Sequence, residues 1–222
     1  MHNQSGDRFP WSLSFPSQIN FQPHGHLICT PVSLLAGTAY LNSKHSESSA
    51  CLQNIFTPRY VREIMEVSHQ FYSEVFSKRG LPLMIQEMYP WIPPTVFSMK
   101  EAAGLIFLDS YPPNVPHDDT VPHDTKDEKE IWVLKSLFSL IKDTLEECRQ
   151  ASQKAVIIVT AKGHTICFMC SDSGEELFLF DSLPATLLSL PFGMIQQHLM
   201  QQFGVTTSHD AEYSALILRN RE

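Results

Sequence analysis

Apolar residues recur at helical spacing in several segments of the first two thirds of the chain. This spacing predicts helices over 30–41, 57–78 and 131–151. Thr30-Pro31 and Thr57-Pro58 are typical helix starts, because Thr caps free N–H groups and Pro fits the first helical position. The second helix is predicted to end at Gly80 and to bury the apolar residues Val61, Ile64, Met65, Val67, Phe71, Val75 and Phe76.

Continuous apolar runs of strand length dominate the last third of the chain. These runs predict strands at 155–160, 164–170, 176–180 and 213–218, and an earlier short run predicts a strand at 105–108. A further helix is predicted near 192–203, whereas four prolines exclude a regular helix or a central strand from 81–98. Because helices come first and most strands later, we predict an α+β fold with an antiparallel sheet.

The domain prediction follows from the same pattern. A length of 222 residues suits a single domain covering 1–222. Residues 1–24 are polar and are expected to form an extended or irregular arm. Residues 111–129 are rich in Pro, His and Asp and are expected to form a flexible loop.

Composition excludes several classes of protein. A net charge of -8 argues against a nucleic-acid partner, which requires a basic face. Five cysteines at irregular spacing do not form a disulfide framework, and this favours a reducing compartment. No signal peptide or membrane-spanning run is visible. We therefore expect a cytoplasmic or nucleocytoplasmic protein with no membrane partner.

Cys29 is the first residue with a distinctive position. It directly precedes the predicted N-cap Thr30, where free N–H groups and the helix dipole favour an anion. A thiolate is an anion, so this position lowers the pKa of a cysteine and makes it nucleophilic. The N–H of Cys29 is also a candidate oxyanion donor. The alternative is that Cys29 is a small buried hydrophobe, as free cysteines usually are.

A predicted hairpin supplies partners for Cys29. The turn signal 171–174 separates two apolar runs, and a turn centred there places His164 directly opposite Asp181. The same register pairs Ile166 with Leu179, Cys167 with Phe178 and Phe168 with Leu177. A carboxylate at that distance orients an imidazole. We therefore predict a catalytic triad of Cys29, His164 and Asp181, against the alternative that the last two merely end strands.

Metal and cofactor signals are weak. Cys167 and Cys170 have CxxC spacing, but a single pair is poor evidence for zinc, and on a strand their side chains point to opposite faces. A second cluster of His117, Asp118, Asp119, His123 and Asp124 is read as a solvated loop. The prediction is therefore no metal and no cofactor.

Two segments resemble a known group of enzymes. The order Cys, His, Asp resembles papain-like cysteine peptidases. Within these, GHLICTPVSLLAG (25–37) and AVIIVTAKGHTICFMCSDSGEELFLFDS (155–182) are similar to herpesvirus tegument deubiquitinases and their viral tegument-like relatives. The sequence departs at Leu183, where those proteins carry a histidine after FDS, so the base would move to His164. The resemblance also implies an upstream glutamine as oxyanion donor, Gln22 first and then Gln18, although either is equally compatible with a surface amide.

The function that the resemblance implies is a thiol-dependent deubiquitinase. It would cleave after the C-terminus of ubiquitin or a ubiquitin-like modifier, with ubiquitin or polyubiquitin chains as partners. Two alternatives remain: a catalytically inactive papain-like interaction module, and another acyl transfer by the same triad, such as transglutamination, deamidation or acetyl transfer. The apolar run 81–91 either packs over the core or exposes a binding patch.

Overall fold

A computed structural model describes residues 12–43, 49–76, 78, 80–92, 97–107, 133–134, 136–206 and 211–220. Its α-helices are α1 (Cys29–Asn42), α2 (Ser49–Ile55), α3 (Pro58–Val75), α4 (Leu137–Ala151) and α5 (Ile195–Phe203). Its strands are β1 (Ser12–Ser14), β2 (Phe97–Leu105), β3 (Val133–Leu134), β4 (Ala155–Ala161), β5 (His164–Cys170), β6 (Leu177–Asp181), β7 (Thr186–Ser189) and β8 (Glu212–Asn220). The predicted loop at 111–129 and the acidic and histidine cluster within it lie outside the described residues.

Helix α1 begins one residue earlier than predicted. Ile28 is its N-cap and makes no side-chain capping bond, so Cys29 is the first helical residue. Thr30 does not cap the helix, because its hydroxyl is buried and donates to the carbonyl of Leu83 at 2.6 Å. The prediction of Thr30 as N-cap is therefore wrong, while the position of Cys29 at the helix N-terminus is confirmed.

Two other predicted helices are confirmed with changed boundaries. Thr57 caps α3 by accepting from the N–H of Tyr60, but the helix ends at Val75 rather than at about Lys78. Val67 and Val75 are 55% and 49% exposed, so they do not belong to its buried face. Helix α4 begins only at Leu137, because Ser136 caps it and the residues 133–134 form strand β3 instead.

The strands form a sheet of 8 strands in the order β1-β7-β6-β5-β4-β8-β2-β3. Neighbouring strands are antiparallel except for β2 and β3, which are parallel. Strand β2 starts earlier than the predicted strand 105–108 and pairs along its length with β8. Strands β1 and β7 were not predicted, and β1 draws part of the N-terminal arm into the sheet.

Helices cover both faces of the sheet. Helices α1, α2 and α3 and the segment 83–92 share one apolar core with one face, and α4 and α5 share a second core with the other. Cys167 lies in the first core and Cys170 in the second, as alternation along β5 predicts. Helix α1 lies so close to the sheet that a Cβ on Gly37 would meet Val156 Cγ1 at 2.6 Å. This close packing fixes Cys29 against the start of β5.

Candidate active site

Cys29 lies where the first turn of α1 meets the first residues of β5. Its thiol lies close enough to His164 and to the backbone and side chain of Thr165 for these groups to lower its pKa. The residue is only 1% exposed. The structure thus brings the predicted nucleophile and base together. Their neighbours Thr30 and Thr165, which are 135 residues apart in the chain, join the helix to the strand by a hydrogen bond.

Buried hydroxyls fix this junction. The Thr30 and Thr165 hydroxyl oxygens lie 2.9 Å apart, and Thr165 makes a second such contact of 2.9 Å with Thr160. Ser33 donates to the carbonyl of Thr165 at 3.2 Å. Buried hydrogen bonds of this kind are costly to break, because each leaves an unsatisfied polar group behind. They hold the helix and the strand in one register, so the thiol and the imidazole keep a fixed separation.

His164 and Asp181 form the second contact of the site. The Nε2 of His164 lies 2.9 Å from Oδ1 of Asp181, and the carboxylate is 1% exposed. Because Nε2 is directed at Asp181, Nδ1 is the ring nitrogen that remains for the thiol of Cys29. This arrangement gives a continuous line of contacts from a buried carboxylate through an imidazole to a thiol.

The hairpin that carries this pair differs from the predicted register. Cys167 lies opposite Phe180 and Phe168 opposite Leu179, so the ladder is displaced by two residues from the predicted pairing. The cause is a longer turn, in which the N–H of Ser171 donates to the carbonyl of Glu176. His164 is therefore diagonal to Asp181 rather than opposite it. A displacement of two keeps both side chains on one face, and their lengths close the gap.

The electrostatics of the three residues are coupled. Burial alone would raise the pKa of the Cys29 thiol, but the hydrogen bond and the charge of His164, together with hydrogen bonding to Thr165, outweigh it and lower this pKa below its usual value. Burial opposes charge on His164 as well, yet hydrogen bonds to Asp181 and Cys29 raise its pKa from 6.5 to about 9. Both shifts favour a thiolate–imidazolium pair at neutral pH.

Asp181 and its neighbour Ser182 are anchored from the N-terminal arm. The backbone N–H of Leu183 donates to Oδ1 of Asp181 at 2.9 Å. The Ser182 hydroxyl donates to Oε1 of Gln18 at 2.5 Å, and the Gln18 N–H donates to the Ser182 carbonyl at 3.2 Å. Gln18 is buried, and its Nε2 has no hydrogen-bond partner among the described residues. Gln18 is therefore a buried amide whose donor has no partner among the described residues, bonded to the residue that follows Asp181.

Of the two glutamines predicted as oxyanion donors, the second choice, Gln18, is buried and the first choice, Gln22, is exposed. Gln22 is exposed and donates from Nε2 to the carbonyl of Ile19 at 2.9 Å, so its amide is turned away into its own loop. Gln18 instead packs against Gly25, on which a Cβ would lie 2.1 Å from the Gln18 carbonyl oxygen. Residues 18–20 and 25–27 form two short 3-10 helices within the predicted extended or irregular arm, so spacing along the chain does not give the positions of these amides.

Other reactive groups lie apart from this cluster. Cys148, Cys167 and Cys170 are buried without disulfides, and burial raises the pKa of Cys167. Within the ranges that the structure describes, no group of three His, Cys, Asp or Glu side chains could hold a metal ion. In the same ranges, none of the helices is both long enough and apolar enough to span a membrane.

Comparison with solved structures defines the fold class. The chain is similar to the ubiquitin-specific protease encoded by a tegument protein of murine cytomegalovirus, which was solved in complex with a ubiquitin-based suicide substrate. The TM-score is 0.56, the sequence identity is 14%, and the match covers 94% of this chain and 85% of that one. A Pseudomonas avirulence protein, AvrPphB, matches with a TM-score of 0.39 and 10% identity over 91% and 99% of the two chains, too low to carry an argument. No family model and no curated protein sequence matches the chain. The α+β fold is that of the papain-like cysteine peptidase class.

Proposed function

We propose that the protein is a thiol-dependent deubiquitinase, a cysteine peptidase that cleaves after the C-terminus of ubiquitin or a close relative. The observation that carries the proposal is the line of contacts from Asp181 through His164 to Cys29 at the N-terminus of α1. A buried carboxylate, an imidazole and a thiol in this order supply an orienting group, a base and a nucleophile.

The chemistry follows from these positions. Nδ1 of His164 takes the proton of the Cys29 thiol, and the thiolate sulfur attacks the carbonyl carbon of the scissile amide. His164 then gives that proton to the leaving amine as the C–N bond breaks, which leaves an acyl group on Cys29. Water attacks the thioester, with His164 again as base, and releases the carboxylic acid and the free thiol. Asp181 keeps the imidazole oriented and stabilises its positive charge.

Two donors suit the oxyanion that forms in each step. Cys29 is the first residue of α1, so its backbone N–H has no acceptor within the helix. Gln18 provides a buried Nε2 without a partner among the described residues, and its contacts with Ser182 and Gly25 place it between the arm and the triad. A backbone N–H together with an amide is a common oxyanion hole.

The burial of Cys29 favours a slender substrate. Because the residue is 1% exposed, a bulky side chain beside the scissile carbonyl would obstruct access to the thiol. An extended chain ending in two glycines, as in ubiquitin, has no such side chain. The murine cytomegalovirus protein of similar fold was solved with a ubiquitin-based substrate, and this likeness also supports a ubiquitin-like modifier.

An exposed apolar surface near the site supports recognition beyond the tail. In the segment 81–92, Leu83, Ile85 and Met88 are buried, whereas Leu81, Met84 and Trp91 are 57%, 56% and 52% exposed. The Leu83 carbonyl is bonded to Thr30, the residue after Cys29, so Met84 lies beside the junction that carries the thiol. The segment therefore covers the core and also leaves three large apolar side chains exposed, which supports a role in docking a partner.

The test compares a ubiquitin bearing a C-terminal fluorogenic amide with the isolated tail peptide bearing the same group. We expect the wild-type protein to hydrolyse the ubiquitin substrate and Cys29→Ala to be inactive. Met84→Glu should raise KM for the ubiquitin substrate and leave the tail peptide unaffected. The matched control is Val67→Glu on α3, since Val67 is similarly exposed, at 55%. No hydrolysis of any ubiquitin-like substrate would contradict the proposal.

The near-complete burial of Cys29 also favours a second candidate, an inactive papain-like interaction module. In that case the contacts around Cys29 serve only the fold. The module should bind a modifier without cleaving it, and Cys29→Ala should bind as well as the wild-type protein. Transfer of the acyl group to an amine, instead of to water, would identify a transferase that uses the same triad.

A further inference from the structure

The carboxylate of Asp181 is satisfied on one side only. Oδ1 accepts from His164 and from the backbone N–H of Leu183. Oδ2 is equally buried, yet it has no hydrogen-bond partner among the described residues. An unsatisfied buried carboxylate oxygen is costly, and a carboxylate held through one oxygen can still rotate about its Cβ–Cγ bond. The orientation of His164 therefore lacks part of its expected support.

Helix α5 carries a donor of matching character. The Nε2 of His198 is buried, and it too has no partner in the part of the chain that the structure describes. His198 lies beside Leu199 and one turn after Ile195 in the helix. Ile195 and Leu199 are fully buried against the sheet. The ring of Phe203, later in the same helix, lies 6.5 Å from that of His164. Helix α5 thus covers the end of the sheet that carries the candidate triad.

Charge supports the same pairing. Burial lowers the pKa of His198, so the ring is neutral at neutral pH and carries one N–H, while the charge of Asp181 acts in the opposite direction. His164 and Lys162 are two further titratable groups at this end of the sheet, and the Lys162 amine donates to the carbonyl of Gly204, just after α5. Lys162 is therefore engaged at the helix C-terminus, whereas the buried Nε2 of His198 has no partner among the described residues.

We propose that His198 is a positioning residue, which donates from Nε2 to Oδ2 of Asp181 and thereby fixes the carboxylate that orients His164. The proposal rests on the proposed peptidase function. The two atoms are not hydrogen-bonded in the structure, so the contact requires a rotation of the His198 side chain towards the carboxylate. His198 touches neither the thiol nor the substrate and acts only through Asp181.

The first experiment follows the alkylation rate of Cys29 against pH, with the labelled peptide identified by mass spectrometry. His198→Leu removes the donor, whereas His198→Gln keeps an amide N–H at a similar reach. We expect His198→Leu to lower the rate at neutral pH about tenfold, the usual scale for residues that orient a functional group, and His198→Gln to restore most of it. On a ubiquitin substrate, kcat should fall in His198→Leu while KM is unchanged.

The second experiment is independent of Cys29 and of turnover. In a Cys29→Ala background, the proposal predicts a slowly exchanging imidazole proton of His198 in the NMR spectrum, lost in Asp181→Asn. Absence of this proton, or its persistence in Asp181→Asn, would overturn the proposal. Identical alkylation profiles for folded His198→Leu and wild-type protein, or equal losses in the Leu and Gln variants, would overturn it as well. If Cys29 is unreactive in the wild-type protein while the proton is present, the peptidase function fails and the Asp181–His198 contact stands.

Discussion

The Nε2 of His164 lies 2.9 Å from Oδ1 of Asp181, although strands β5 and β6 place the two residues diagonally rather than opposite each other. Side chains on one face of an antiparallel pair can meet along this diagonal when one of them is long. The imidazole spans the distance that a shorter side chain would leave open. The contact therefore depends on the histidine itself and on the length of the 171–176 turn.

The first prediction concerns the loss of each partner in this contact. His164→Ala should lower kcat at least about a thousandfold, because it removes the base that takes the thiol proton. The loss of kcat in Asp181→Asn should be about ten times smaller than the loss in His164→Ala, because the imidazole remains but loses its orientation and its charge partner. Steady-state kinetics on a ubiquitin substrate give both values. His26→Ala is the control, since His26 is exposed; an equal loss in that variant would contradict the assignment.

The second prediction is the pH dependence of Cys29. Contact with His164 lowers the pKa of the thiol, so its alkylation should begin at a lower pH than that of a free cysteine. The pKa of His164 is raised to about 9, so its proton is available to a leaving amine below that pH and is lost above it. Turnover should therefore rise through the lowered thiol pKa and fall as pH passes about 9. These apparent values belong to the coupled pair.

The same shift predicts a change in stability with pH. The pKa of His164 is higher in the folded than in the unfolded chain, so its contribution to stability is complete below 6.5 and disappears as pH rises through about 9. In His164→Gln this loss should be absent. Denaturant unfolding at a series of pH values measures it, and parallel stability curves for the two proteins would refute the account.

The third prediction distinguishes the two glutamines. Gln18→Ala should lower kcat about a hundredfold, the usual cost of removing one oxyanion donor, while Gln22→Ala should leave kcat near that of the wild-type protein. The reason is that Gln18 offers a buried free donor, whereas Gln22 is exposed and bonded to Ile19. Comparable losses in both variants, or a loss in Gln22→Ala alone, would exclude Gln18 from the oxyanion hole.

The fourth prediction concerns the backbone that supports Gln18. A Cβ on Gly25 would lie 2.1 Å from the Gln18 carbonyl oxygen, so Gly25→Ala must displace one of the two short 3-10 helices. We expect a destabilisation of roughly 1–3 kcal/mol and a fall in kcat beyond what the stability change explains. Gly193→Ala is the matched control, because a Cβ there meets nothing within 4 Å. Equal thermal stability and activity in both variants would contradict this packing.

The sequence predicts which three residues lie together at the candidate site better than it predicts the connections around them. Cys29, His164 and Asp181 could be proposed because a helix start and a turn signal give local patterns that chemistry can interpret. The exact register of the hairpin could not be predicted, because the length of the 171–176 turn depends on hydrogen bonds made by Ser171. The predicted register differs from the observed one by two residues, and because this number is even, each side chain stays on the predicted face of the sheet.

Tertiary contacts account for the other differences. Thr30 has the sequence signal of an N-cap, but its hydroxyl is used to join α1 to Leu83 and Thr165. Strand β1 has little strand character of its own and exists through its pairing with β7. Gln18 reaches the site through Ser182, 164 residues away in the chain. Such long-range pairings leave no periodic pattern in a single sequence.

The most direct test of the central claim is reaction with a ubiquitin that carries a C-terminal electrophile, followed by peptide mapping. The account predicts one covalent adduct, located on Cys29 and absent in Cys29→Ala. It also predicts strongly reduced labelling in His164→Ala, because the thiol then loses the partner that lowers its pKa. Labelling of Cys148 in preference to Cys29, or the absence of an adduct in a folded wild-type protein, would contradict the claim that Cys29 is the nucleophile of a deubiquitinase.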